Sequence, residues 1–171
     1  MRHSVRAIPL AACLALSVAA QQTPKAPPTP AQSLQANWTQ VHGKVLTMAE
    51  DFPEEKYDFK PAPEERSFAE QVLHVMAGEV YATKAGRGEK AEWVDRPRSE
   101  FKSKAEIVAA FKKALDESSA VLKGRTTEQL ARTLSPWPGL IEHAGEHYGQ
   151  LVVYYRVSGL VPPESREKPK S

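Results

Sequence analysis

Two histidines one helical turn apart, His143 and His147, are the residues of this chain best placed to do chemistry. They stand in the string His143-Ala-Gly-Glu-His147-Tyr-Gly-Gln150. An i,i+4 pair puts both imidazoles on one side of a helix, a standard spacing for two ligands of one transition metal. Read with alternating steps of three and four, Leu140, His143, His147, Gln150, Tyr154 and Val157 fall on a single seam. Three consecutive core positions are therefore polar. A buried imidazole without a partner costs about 1–3 kcal/mol, so the stripe calls for a ligand or a hydrogen-bond network. Ordinary hydrogen-bonded histidine pairs share the spacing, and a third ligand separates the two cases. His42 and His74 are the candidates. His74 falls on the flank of its helix's apolar arc, and His42 lies beside Val41 and one turn from Trp38 and Leu46. Spacing leaves both open. Glu70, one turn before His74, is placed to orient that ring, although helix capping explains it equally well. Gln150, one turn beyond His147, is the candidate for orienting a bound group or simply a polar seam residue.

Other catalytic patterns are missing. No serine stands in a Gly-x-Ser-x-Gly elbow, and Gly86-Arg87-Gly88 lacks the lysine of a phosphate loop. Glu142 and Glu146 each precede a histidine and point about 100° away from it, so a solvated or flanking role suits them better than general base.

Four helical segments must position these side chains. The first is expected over residues 33–52, where Leu34, Trp38, Val41, Val45, Met48 and Phe52 make a bundle seam ended by Pro53. A loop to Arg66 follows. The second opens on the capping box Ser67-Phe68-Ala69-Glu70, continues through Val72, Val75, Met76 and Val80, and is expected to break at Gly86-Arg87-Gly88. A polar loop leads to a second box, Ser103-Lys104-Ala105-Glu106, and a helix with the stripe Ile107, Phe111, Ala114, Ser118 and Val121 up to Gly124. Residues 126–132 suit a short extra turn. The last helix is expected over residues 140–158, after Pro136-Trp137-Pro138-Gly139 and before Gly159 and Pro162-Pro163. Trp38, Trp93 and Trp137 are expected as core and loop anchors. No stretch alternates like a strand, so the predicted fold is all-α, a four-helix bundle. Its loops are longer than an ideal bundle needs, and long loops cross a bundle end or shape a site.

The ends carry different information. Residues 1–20 run from a basic start with Arg2 and Arg6 through an apolar stretch to Val18-Ala19-Ala20, the pattern of an export signal cleaved before Gln21. The expected location is periplasmic or secreted. The alternative is a lipoprotein anchored through Cys13, the single cysteine, which leaves the mature chain without a disulfide. Residues 21–31, with four prolines, read as an extended linker, residues 32–163 as the bundle, and residues 164–171 as a flexible tail. Of the 171 residues, 23 are basic and 21 acidic, and without Arg2 and Arg6 the two balance. That excludes the cationic excess on which non-specific nucleic-acid binding relies. No run in the mature chain approaches the roughly 20 apolar residues of a membrane span.

The motifs taken together resemble the DinB-like metal-binding bundle proteins. The resemblance is carried by His74 after the Ser-Phe-Ala-Glu start, by His143-Ala-Gly-Glu-His147-Tyr-Gly-Gln, by Tyr57-Asp-Phe-Lys-Pro-Ala-Pro63, by Leu151-Val-Val-Tyr-Tyr-Arg156 and by Gly159-Leu-Val-Pro-Pro163. It implies an up-down-down-up bundle with a three-histidine site for zinc or a similar divalent metal such as nickel or iron, the ligands being His74, His143 and His147. It further implies either a transferase that uses a low-molecular-weight thiol, a hydrolase at the same open site, or a non-catalytic metal-binding or stress protein. A homodimer stands among the expectations, a nucleic-acid partner does not.

Overall fold

The computed structural model describes residues 26–167. The expected export signal, the Cys13 alternative and residues 21–25 of the proline-rich segment lie outside the described residues, as do residues 168–171. The described residues form five helices and no strand: α1 (Pro30–Asp51), α2 (Phe68–Arg87), α3 (Lys104–Lys123), the short α4 (Thr127–Arg132) and α5 (Trp137–Val157). None of them is long and apolar enough to cross a membrane.

Helix starts follow the capping chemistry of the sequence. The Ser67 side chain accepts from the Glu70 N–H while Glu70 accepts from the Ser67 N–H at 2.6 Å. Ser103 caps α3 through the Glu106 N–H, but Glu106 turns to the N–H of Lys102, so this start is not a full box. α1 begins three residues earlier than expected, because Thr29 and Gln32 form a box of their own. Pro30 fits the first turn, where its missing N–H has no partner to lose. α2 ends later than expected. Gly86 stays helical inside the core, and Gly88 closes the helix in the left-handed region at φ 76°. α5 likewise starts at Trp137 rather than residue 140.

Cross-helix contacts give the direction of each helix. Trp38 meets Trp137 with ring centroids 5.1 Å apart, and Tyr155 Oη donates to the Met48 carbonyl at 2.9 Å, so α1 and α5 run parallel. Gln35 donates to the Leu122 carbonyl and Lys104 to that of Phe52, which sets α3 antiparallel to α1. Glu79 meets Ser118 and Gly86 meets Val121, so α2 and α3 are parallel. The bundle is up-down-down-up, as the family resemblance implies. Two consecutive parallel helices oblige the connector over residues 88–103 to return along the length of the bundle, about 30 Å for a helix of this size. That connector shapes the site.

The core falls into two apolar clusters. One is aromatic, built on Phe52, Tyr57, Phe68, Phe111, Tyr154 and Tyr155, and the other packs Trp38 and Trp137 with Leu115, Leu122 and Leu140. Three polar side chains are buried beside them. His42 Nε2 lies 2.9 Å from Glu79 Oε1, Ser118 Oγ donates to Glu79 Oε2, and His42 Nδ1 donates to the Trp38 carbonyl at 2.9 Å. Within α1 His42 is fully buried while Val41 packs half-buried at the edge of the core, and Val80 of α2 is exposed rather than packed. The expected tail is ordered at its start. Residues 163–165 form a 3-10 turn, and Arg166 makes a two-pronged ion pair with Asp51.

Candidate metal centre

α2 and α5 cross the site antiparallel and bring His74, His143 and His147 together. One ring nitrogen from each lies within 4.8 Å of the other two. His74 Nε2 and His143 Nε2 face each other at 3.1 Å. The opposite nitrogens of two rings are tied outward. His74 Nδ1 stands 2.9 and 2.8 Å from the two carboxylate oxygens of Asp95, and His147 Nδ1 donates to Gln71 Oε1 at 2.9 Å. An N–H on each Nδ1 leaves both Nε2 lone pairs turned inward, the tautomer that a metal-ligating histidine takes. Two nitrogens bound to one zinc at about 2.0–2.1 Å and a tetrahedral angle stand roughly 3.3 Å apart. The 3.1 Å separation fits two donors of one ion. The three histidines could therefore hold a divalent metal.

Electrostatics agree with neutral donors. Burial pushes the His143 imidazole down to about 4, helped by the neighbouring His147 and His74. Burial also lowers His147, with His74 adding to it. At neutral pH both rings keep their lone pairs. Burial pushes the Asp95 carboxyl up, but hydrogen bonds from His74 and Trp93 outweigh it and hold Asp95 below the usual carboxylate range. It is a charged acceptor behind His74.

The α5 seam differs from the expected one. Its buried stripe is Trp137, Leu140, Ala144, His147, Leu151, Tyr154 and Tyr155, with His143 half-buried, and Gln150 and Val157 exposed. At about 100° per residue Gln150 and Val157 lie roughly 60° and 80° to one side of His147, whereas the buried arc extends to its other side through Leu151 and Ala144. Gln150 Oε1 accepts from Gln71 Nε2 at 3.0 Å, so it reaches His147 by way of Gln71.

His42 stays with Glu79 in the core and does not join the cluster. Glu70 does not orient His74. Its carboxylate serves the α2 cap and lies 3.5 Å from Lys60. Sequence reasoning missed Asp95, Gln71 and the role of Trp93. Gln71 carried a signal, since it precedes His74 by three residues and shares its helix face. Asp95 sits in a connector without periodicity and carried none. Trp93 anchors the connector rather than the core: 39% exposed, it packs over His74 and His143 with ring centroids 5.2 and 4.9 Å away, while its indole N–H donates to Asp95 at 2.8 Å. Gly78 of α2 makes room for it, since a Cβ there would meet the indole at 3.1 Å.

The family model of the DinB superfamily covers residues 37–155, a span holding all three histidines, and the chain belongs to that superfamily. No curated protein matches the chain in sequence.

Proposed function

We propose that this member of the DinB superfamily holds one divalent metal, zinc in the first place, on His74, His143 and His147, and that it is a metal-dependent transferase or hydrolase working outside the cytoplasm. The observation that carries the reading is the convergence of three imidazoles whose outward nitrogens are engaged at His74 and His147. Three neutral protein donors are the complement of a catalytic zinc, which keeps a position for a reactant. Such a metal supplies Lewis acidity, which makes a water or a thiol acidic enough to act as a nucleophile near neutral pH.

The chain's own residues do the positioning. Asp95 fixes the tautomer and plane of His74, and Gln71, held by Gln150, does the same for His147. Trp93 covers one side of the cluster and limits the approach of water. No nucleophilic cysteine exists beyond residue 13, so the attacking group belongs to the reactants, a low-molecular-weight thiol for a transferase or water for a hydrolase. The export pattern of residues 1–20 supports the location.

A second reading has an observation of its own. The cluster ties α2 to α5, and His147 is only 6% exposed, which also suits a metal that only stabilises the bundle. The test is metal analysis of the purified protein and of His147→Ala, followed by a screen of the zinc-loaded protein with electrophiles, with and without added thiols, repeated after chelation. One metal per chain, lost in His147→Ala, and turnover abolished by chelation support the enzyme. Turnover that survives complete metal removal refutes it, and metal binding without turnover favours the stabilising role.

A further inference from the structure

α5 packs on α1 and α2 and leaves the side away from them to solvent. At about 100° per residue, Gly145, Arg156, Gly149, Glu142 and Val153 fall within an arc of about 80°, opposite the buried arc of His147, Leu151 and Ala144. All five are exposed, and Val153 and its neighbour Val157 are 50% and 56% open to water. Gly145 and Gly149 stand in the middle of the helix, where glycine is among the poorest residues. A Cβ at either would meet nothing within 4 Å, so nothing inside a single chain requires the missing side chain. The charges on this face are unanswered too. Glu142 and Glu146, one turn apart, repel each other, and neither they nor Arg156 makes an ion pair among the described residues.

The order of these residues along α5 is self-complementary. Gly145 and Val153 stand four residues to either side of Gly149, and Glu142 and Arg156 stand seven. A second α5 laid antiparallel across Gly149 therefore brings Arg156 of each chain against Glu142 of the other. Val153 of each comes beside Gly145 of the other, where no side chain stands in its way. Gly149 meets its own copy at the crossing, and two bare backbones there allow a close approach. A parallel pairing would set Glu142 on Glu142 and Arg156 on Arg156, so charge selects the antiparallel one. Such a contact is isologous: one patch serves both partners, and the assembly closes at two subunits. We propose that the exposed face of α5 from Glu142 to Arg156 binds a second copy of this chain, and that the protein is a homodimer through it. The histidine cluster lies on the opposite side of α5, so the proposal is independent of the metal reading.

Sedimentation equilibrium of the purified full chain tests this. One helix face makes a small interface, so the expected Kd is about 1–100 µM, rising with salt as the two charge pairs are screened. Glu142→Arg and Arg156→Glu should each weaken the dimer at least about tenfold, because either change sets like charges against each other at both ends. The double variant Glu142→Arg, Arg156→Glu exchanges the signs and should return Kd to within about threefold of the wild type. Gly149→Leu guards against misfolding as the cause. Its side chain enters open space in the single chain, so the Tm measured in dilute, monomeric solution should not fall, while the blocked crossing should abolish the dimer. A wild type that stays monomeric up to about 1 mM overturns the proposal. So does a dimer indifferent to Gly149→Leu, an assembly that grows beyond two subunits, or a double variant that associates no better than the single ones.

Discussion

Replacing Glu79 by Ala should be among the most destabilising single changes in the bundle. Glu79 is 0% exposed, and its carboxylate lies between His42 Nε2 at 2.9 Å and the Ser118 hydroxyl. Truncation leaves the His42 ring, itself 2% exposed, with an unpartnered nitrogen and no route to water. Ser118 loses less, because its hydroxyl proton can turn to the Leu115 carbonyl, 3.0 Å away. Breaking a buried pair from one side costs about 3–5 kcal/mol, and the fallback of Ser118 places this case near 3 kcal/mol. Urea unfolding followed by circular dichroism, with chelator present to remove any contribution from metal, should show the midpoint fall by about 1.5–2 M for a domain of this size. The double variant His42→Leu, Glu79→Met removes both polar groups and should recover most of the loss, since an apolar replacement of a buried pair is often neutral. It should also retain one metal per chain. A shift below about 0.5 M, or a double variant as unstable as the single one, would refute the reasoning.

Three further outcomes follow from the geometry. Asp95→Asn should weaken metal affinity by about 10- to 100-fold in competition with a chromophoric chelator, because the charged acceptor behind His74 is lost while its size is kept. In metal-free protein, His143 has a folded value near 4 against about 6.5 unfolded. The unfolded chain therefore takes up the proton first as pH falls, and stability should drop by about 1–2 kcal/mol between pH 7 and pH 5, discounted for partial exposure. Urea midpoints of wild type and His143→Phe at the two pH values check this, the variant showing the smaller drop. Gly86→Ala should cost about 1–2 kcal/mol despite alanine's better helix propensity, since its Cβ would stand 2.6 Å from Val121 Cγ1 and 2.8 Å from Trp137 Cζ2. Thermal unfolding measures it.

The helices and their order were legible because their signals are local. Ser67-x-x-Glu70, Pro53 and Gly159 mark ends through capping and backbone chemistry that need no distant partner. His143 and His147 were legible for the same reason, one helical turn being a local relation. What failed was anything set by the neighbouring helix. That His42 is buried more deeply than Val41 depends on where α2 offers Glu79, a carboxylate whose burial only tertiary structure decides. Gly86 reads as a breaker in sequence, yet the bundle needs a residue without a side chain there, because the Trp137 indole occupies that space.

The position of the site follows from topology more than from any motif. Had α2 and α3 been antiparallel, a short turn would have joined them at one end, and no backbone would pass the middle of the bundle. Because they are parallel, the segment between them has to travel back along α2. It passes His74 midway, and Trp93 is delivered there together with Asp95, the latter across 21 residues of sequence. The same passage opens a cavity beside Arg66, whose walls come from the connectors on either side of α2 and from its first turn. The imidazoles are fixed by two rigid helices, while the groups that tune and screen them ride on the returning strand of chain. Trp93→Phe, which keeps Asp95, should therefore alter reactant selection in a substrate screen while costing metal affinity far less than Asp95→Asn does in the chelator competition, because the three donors stand on α2 and α5 and only the acceptor behind His74 rides on that segment.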